Sequence, residues 1–266
     1  MFHKKIFIWP LLLFLLSCST VPLTGRRQLN LIPAGQIMSM SFANYDEFLK
    51  SHKVIKGTTQ ARMVQRVGKR IQRAVEQYFS EHHMQNRLDG YQWEFNLVED
   101  KAVNAWCMPG GKVVVYTGIL PLTKNDAGLA VVLGHEIAHA VAGHGSERMS
   151  QGLMVQLGGM ALSKALEKKP RQTQALFMTA YGAGAQLGVL LPYSRLHESE
   201  ADHLGLIFMA MAGYDPHVAV NFWQRMAAMK AGQSPPEILS THPSDATRIN
   251  QIKKLLPEAM RYYKKS

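Results

Sequence analysis

Gly134-His135-Glu136-Ile137-Ala138-His139 sets two imidazoles and a carboxylate within little more than one helical turn. Residues four apart in a helix lie about 40° apart in projection. His135 and His139 therefore share a face and can grip one ion, with Glu136 next to the position left open. The flanks Ala130-Val131-Val132-Leu133 and Ala140-Val141-Ala142, with Ile137 and Ala138 between, make this helix apolar nearly all round. Such a helix is buried, and buried imidazoles and carboxylates need partners. The competing explanation, an amphipathic helix with two histidines on its wet face, does not account for apolar residues on every side.

A catalytic zinc site takes three protein ligands and leaves one position for water, so a third ligand has to be found. The pattern HExxHxxGxxH would need glycine at 142 and histidine at 145, where this chain has Ala142 and Gly145. Gly143 comes one place late and His144 one place early, so His144 reads as a surface residue or a support for a ligand. A second pattern puts the third ligand on a later helix, and His197-Glu198-Ser199-Glu200-Ala201-Asp202 supplies it. Glu198 and Asp202 share a helix face. Glu198 can bind the ion while Asp202 accepts the remaining N–H of a ligand imidazole, plausibly His135, and fixes its tautomer. A solvated acidic face is the alternative for this cluster, and Glu200 is expected on it.

The pair His-Glu-Ile-Ala-His and His-Glu-Ser-Glu-Ala-Asp resembles the gluzincin family of the CAAX prenyl-protein endopeptidases and HtpX-type proteases. Asn104-Ala105-Trp106, Pro109 to Gly118, Ser194-Arg195, Thr241-His242-Pro243 and Arg248 are similar to that family's segments as well, so the likeness covers about residues 60 to 255. It implies one zinc ion per chain on His135, His139 and Glu198, with Glu136 as general base in peptide-bond hydrolysis. No confident membrane-spanning helices flank the motif, which points to the soluble, lipoprotein-type branch.

Around this centre the chain reads as mainly α with a small β-sheet, a zincin-like peptidase domain over residues 56–266. A helix is expected over Gln36 to Lys50, and a stronger one over Thr59 to His82, where Met63, Val67, Ile71 and Val75 recur every four residues. Tyr91 to Val98 alternates like a strand. Lys112-Val113-Val114-Val115-Tyr116 is a second strand after the turn Pro109-Gly110-Gly111. If this strand is an exposed sheet edge, an extended peptide can pair along it and bring its carbonyl to the metal; if it is a core strand, it touches no ligand. Asn104, Trp106 and Cys107 shape the entrance, and Cys107 has no partner set for nucleophilic chemistry. His242 could take the fourth zinc position and hold the enzyme latent, help an oxyanion, or be a plain loop residue near a helix-capping Ser244. Arg248 and Tyr193 are further candidates to assist the substrate carbonyl. His203 and His217 serve structure. Gln172 to Ser194 carries no formal charge and is long enough to span a bilayer, but three glutamines and Pro192 favour a buried or groove-lining helix whose small residues pack closely.

The first segment is an address. Met1 to Lys5 is basic, Ile6 to Leu16 is apolar, and Leu15-Leu16-Ser17-Cys18 resembles the bacterial lipobox. That resemblance implies a lipoprotein signal peptide over 1–17 and a lipidated Cys18, followed over 18–55 by a tether and the first helix; an ordinary signal peptide with a chance cysteine is the alternative. Ser19 after the cysteine favours the periplasmic face of the outer membrane, with the lipid as membrane anchor. Thirty Lys+Arg against 19 Asp+Glu leave a net charge of +11, but the basic residues are dispersed and nucleic acid is not expected as a partner. Two cysteines rule out a disulfide scaffold. The expected activity is zinc-dependent endoproteolysis of unfolded or misassembled envelope proteins in quality control. A chaperone-like binder of extended segments is the alternative, and chelator-sensitive proteolysis would separate the two.

Overall fold

The computed structural model describes residues 18–229, Ile238, His242 and residues 246–264. The expected signal peptide over 1–17, and Leu239, Thr241, Pro243 and Ser244, lie outside that range, as does the side chain of Tyr193. The chain divides into two units, the described residues up to Ala34 with Gly145–Ser194, and Gly35–His144 with Arg195–Ser266. The boundary expected at residue 55 falls inside the second, larger unit.

In the smaller unit, β1 (Cys18–Thr20) and β2 (Arg27–Leu29) pair antiparallel, with Cys18 opposite Leu29. The stretch expected as a plain tether is thus a hairpin. Arg26 closes a fork on the buried carboxylate of Glu147 at 2.8 and 2.7 Å, and the Leu31 N–H donates to Ser150 Oγ at 3.0 Å.

In the larger unit, α1 (Ala34–Ser51) leads through β3 (Val54–Ile55) to α2 (Thr59–Glu81). Thr58 caps α2, its hydroxyl accepting from the Ala61 N–H at 3.1 Å. The four-residue stripe is a core face: Val64, Val67, Ile71, Val75 and Tyr78 are buried, whereas Met63 is only half-buried. Next come β4 (Glu94–Val98), β5 (Ala105–Met108) and β6 (Lys112–Tyr116). The turn joining β5 to β6 needs left-handed backbone, supplied by Gly110 and Gly111 at φ +91° and +84°.

The sheet order is β3-β4-β6-β5, with β6 parallel to β4 and antiparallel to β5. Strand β6 is therefore internal, and all five of its residues are buried. The expectation that Lys112 to Tyr116 form an exposed edge is corrected here. The edges are β3 and β5, and of β5 only Ala105 is buried.

A short α3 (Leu120–Thr123) precedes α4 (Asp126–Val141), the helix of the histidine motif. Asn125 caps α4 by accepting from the Gly128 N–H at 3.0 Å, and every residue from Gly128 to Val141 is buried. Then follow α5 (His144–Leu166), α6 (Arg171–Ala185), α7 (Leu191–Met211), α8 (Val218–Met229) and α9 (Ala246–Tyr262). No residue of α6 is buried, so the expected burial of 172–194 is corrected, although Tyr181, Gly184 and Ala185 do line a groove with β2 and α5. The close packing there comes from the other arm: a Cβ on Gly158 of α5 would meet the Tyr181 hydroxyl, whereas nothing lies near Gly182, Gly184 or Gly188. Among the described residues no helix is long and apolar enough to cross a membrane. The whole is mainly helical with small sheets, an α+β architecture of the zincin-like kind.

Candidate metal centre

Helices α4 and α7 meet backbone to backbone. A Cβ on Gly134 would lie 2.8 Å from the Gly205 carbonyl oxygen, and one on Gly205 would lie 2.9 Å from the Gly134 carbonyl carbon. Glycine at both positions permits this approach. Gly134 immediately precedes His135, and Gly205 lies two turns along α7 from Glu198, so the crossing seats the carboxylate against both imidazoles.

The donor atoms of His135, His139, Glu198 and His242 all lie within 4.8 Å of one another, and all four residues are buried. His135 Nε2 is 3.1 Å from His139 Nε2, 3.1 Å from His242 Nδ1 and 3.3 Å from Glu198 Oε2. His139 Nε2 is 3.2 Å from Glu198 Oε1, and His242 Nδ1 is 2.9 and 3.0 Å from the two Glu198 oxygens. Ligands held at about 2.0–2.1 Å on a tetrahedron are separated by roughly 3.3 Å. The cluster is already near that spacing, and its N and O donors suit zinc. Beside it, Glu136 Oε1 is buried with no hydrogen-bond partner among the described residues, 3.6 Å from His242 Nε2. A buried carboxylate oxygen in that condition marks a place for a ligand or water that the fold itself does not fill.

Behind the donors stands a buried ionic frame. Asp202 Oδ1 faces His135 Nδ1 at 3.0 Å. Arg248, near the start of α9, donates to Asp202 through Nε at 2.8 Å and Nη2 at 2.7 Å, while its Nη1 lies 3.1 Å from Glu198 Oε2. Its guanidinium carbon sits 3.5 Å from the centroid of the Trp223 ring. Arg248 was expected to assist a substrate carbonyl, but its fork is turned onto two protein carboxylates.

Burial alone would raise the carboxyl of Glu198, but hydrogen bonds with His135, His139 and His242 outweigh it and hold the group far below the usual carboxylate range. Burial is likewise overcome at Asp202 by the charge of Arg248 and the bond to His135, so that carboxyl too is lowered. At His135, burial and Arg248 oppose protonation, yet Asp202 and Glu198 prevail and raise its pKa to about 9. At His139 burial wins and keeps the imidazole neutral, well below its ordinary value.

The family model for peptidase family M48 matches residues 65–256, a stretch that contains every residue of this centre. The chain belongs to peptidase family M48. Zinc is the cofactor of M48 metalloproteases, in keeping with the donor set. The mitochondrial metalloendopeptidase OMA1 of Schizosaccharomyces pombe is 38% identical over 174 residues, covering 65% of this chain and 49% of that protein. The human metalloendopeptidase OMA1 is 36% identical over 174 residues, 64% of this chain and 33% of that protein. The beta-barrel assembly-enhancing protease of Yersinia pestis is 34% identical over 176 residues, 60% and 35% respectively. The chain spans half or less of the length of these relatives.

Within this M48 chain, the structure brings together His135, Glu136, His139, Glu198, Asp202, His242 and Arg248. It removes the internal strand Lys112 to Tyr116 from the list of accessible edges. Desolvation, and then the negative charge of Glu136, push the Cys107 thiol well above its ordinary value, which makes it a poor nucleophile; its strand β5 packs against the motif helix α4. Glu200, expected on a solvated face, is instead buried and 3.1 Å from His144 Nε2, and His144 is fully buried rather than on the surface. His203 pairs with Glu258 at 2.9 Å and His217 with Asp215 at 2.7 Å, both away from the centre. Sequence reasoning missed Trp223 and the Gly134/Gly205 contact. Gly205 could have been found from its place on the Glu198 face of α7, but nothing in the pattern around Trp223 singles it out.

Proposed function

We propose that this chain is a zinc-dependent metalloendopeptidase, with His135, His139 and Glu198 as metal ligands and Glu136 as general base. The observation that carries this is the clustering of those donors beside Glu136 Oε1, which accepts no hydrogen bond among the described residues. Zinc, when bound, supplies Lewis acidity that polarises a carbonyl and lowers the pKa of water towards about 7. Glu136 Oε1 takes the proton of the attacking water and returns it to the leaving amine. Asp202, held by Arg248, keeps His135 oriented through Nδ1, and the apolar body of α4 excludes bulk water. Substrate pairs along β5, since an edge strand offers unpaired backbone groups to an extended peptide. Recognition through the backbone gives loose sequence preference, as degradation of misfolded chains requires.

His242 completes the donor set in the resting enzyme and has to leave for substrate to enter, which makes it a latch. The natural setting we propose is the periplasmic face of a bacterial outer membrane, with lipidated Cys18 as anchor and misassembled envelope proteins as substrates. The lipobox-like Leu15-Leu16-Ser17-Cys18 and the Yersinia pestis relative, named for beta-barrel assembly, support this setting. Palmitate labelling that survives in Cys18→Ala would remove the anchor.

The deciding experiment compares the wild type with Glu136→Gln. The variant is expected to bind zinc with unchanged stoichiometry and to fold normally, while chelator-sensitive casein cleavage is lost. Full cleavage by Glu136→Gln would refute its role as base. Cleavage absent from the wild type, with zinc-independent suppression of aggregation, would leave a binding protein.

A further inference from the structure

Beyond the four donors lies a second line of buried titratable side chains that the proposed reaction does not use. His144 Nδ1 is 2.9 Å from His139 Nδ1, and His144 Nε2 is 3.1 Å from Glu200 Oε2. The His197 ring stacks on that of His144 with centroids 4.4 Å apart and planes 13° apart. His144, Glu200 and His197 are all buried, and with His139 they belong to the larger unit.

Proton bookkeeping gives this line a direction. Two Nδ1 atoms can bond at 2.9 Å only if one carries a hydrogen and the other does not. His139 turns Nε2 towards Glu198 and His135, so on the proposed reading Nε2 is the ligand nitrogen and Nδ1 carries the proton. His144 must then accept at Nδ1, keep its own proton on Nε2, and donate that proton to Glu200. A carboxylate at the far end therefore fixes the tautomer of His144 and, at one remove, that of His139.

Local structure explains why the second ligand needs this intermediary. His135 meets its carboxylate, Asp202, directly. His139 lies in the last turn of α4, and the chain reverses at Gly143, whose φ of +73° suits glycine. That reversal delivers His144 to the far nitrogen of His139. Helix α7 serves both imidazoles with different faces: Glu198 and Asp202, four apart, address the donor cluster, while His197 and Glu200, three apart, flank His144.

We infer that His144 and Glu200 form a relay that fixes the tautomer and ring orientation of His139 and thereby sets the affinity of the centre for zinc. They are positioning residues, since neither reaches substrate. The relay rests on the proposed role of His139 as a ligand through Nε2.

The test uses the full chain and its His144→Phe, His144→Gln and His144→Phe/Glu200→Leu variants. Zinc affinity is measured by competition with a chromophoric chelator, and the ligand field by the visible spectrum of the cobalt-substituted protein. His144→Phe is expected to weaken zinc binding by about 10–100-fold, the usual effect of losing an outer partner of a ligand, and to alter the cobalt spectrum. His144→Gln, whose amide can accept from His139 and donate to Glu200, should restore most of the affinity. The double variant replaces both members of the buried pair with apolar groups, so no carboxylate is left facing a phenyl ring. Its zinc affinity should stay low while the zinc-free protein unfolds at the wild-type temperature. Wild-type affinity and an unchanged cobalt spectrum in either Phe variant would overturn the relay. A wild-type protein that binds no zinc, or a His139→Ala protein that still binds it normally, would overturn the metal reading itself and the relay with it.

Discussion

Replacing Arg248 with methionine should destabilise the zinc-free protein more than any other single change behind the donor cluster. The residue is 5% exposed, and its two bonds to Asp202 are 2.8 and 2.7 Å long. Charge-assisted hydrogen bonds of this kind are worth about 1.5–3 kcal/mol each. Removing one partner of a buried ion pair costs about 3–5 kcal/mol, because the other charge is left uncompensated. Methionine retains the packing on Trp223 but none of the charge, so a loss of about 3–5 kcal/mol at pH 7 is expected, a large part of the roughly 5–15 kcal/mol of a typical domain. Arg248→Lys keeps the charge without the fork and should lose less, about 1–3 kcal/mol. The pH dependence has a definite sign. Asp202 is lowered in the native state, so it contributes stability above its unfolded pKa and loses that contribution as pH falls through the lowered native value. Without Arg248 the largest of the causes that offset burial is lost, and the native value rises although His135 still opposes it. The gap between wild type and variant is therefore widest above the variant's new value and closes as pH descends towards the wild type's. Urea unfolding of the zinc-free proteins, followed by circular dichroism from pH 7 downwards, measures this. A gap under about 1 kcal/mol at pH 7, or one that does not change with pH, would refute the assigned frame.

Zinc binding should release about one proton from His135 at pH 7.5, because that imidazole is raised to about 9 without the ion and must be neutral to bind it. Calorimetry in two buffers of different ionisation enthalpy counts the proton, and a count of zero contradicts the assignment. Gly205→Ala forces α4 and α7 apart where a Cβ has 2.9 Å to the Gly134 backbone; it should cost about 1–3 kcal/mol in urea unfolding and weaken zinc binding, and an unaffected affinity would show that the crossing does not seat Glu198. His242→Ala should raise basal cleavage of an unfolded substrate without loss of zinc at micromolar protein, whereas unchanged or reduced cleavage removes the latch.

The centre was legible because its chemistry constrains spacing. His135 and His139 must lie one turn apart, and Glu198 and Asp202 must share a face, so both pairs leave a periodic trace. Residues that act through tertiary approach leave none. Trp223 reaches Arg248 from α8 with no motif around it, and the Gly134/Gly205 contact is made by backbone. The edge strand was misassigned although a signal was present. Val113-Val114-Val115 is a continuous apolar run, which marks a strand covered on both faces and so set inside the sheet. Strand β5, with Trp106, Cys107 and Met108 all half-buried, is the more exposed of the two. His144 misses a ligand position by one residue, which leaves the sequence with a surface residue or a support for a ligand. That single place, given by the turn at Gly143, carries it to the far side of His139 and away from the ion.

The same frame balances the charge of the buried carboxylates in and behind the donor cluster. Two buried carboxylates, Glu198 and Asp202, would repel one another if nothing stood between them. Arg248 supplies one permanent positive charge, bonded to both. His135 supplies a second while protonated, and its position between Asp202 at 3.0 Å and Glu198 at 3.3 Å is what raises it to about 9. These four groups are thereby balanced, two against two, with the Glu136 carboxylate beside them. Zinc exchanges with a proton and adds one net charge, which leaves the centre attractive to the Glu136 carboxylate and to a polarised substrate carbonyl. Neutral His139 contributes a ligand without a further proton to displace. Of the two histidines of the motif, His135 is thus the one that competes for a proton, and its competition should weaken affinity as pH descends below about 9.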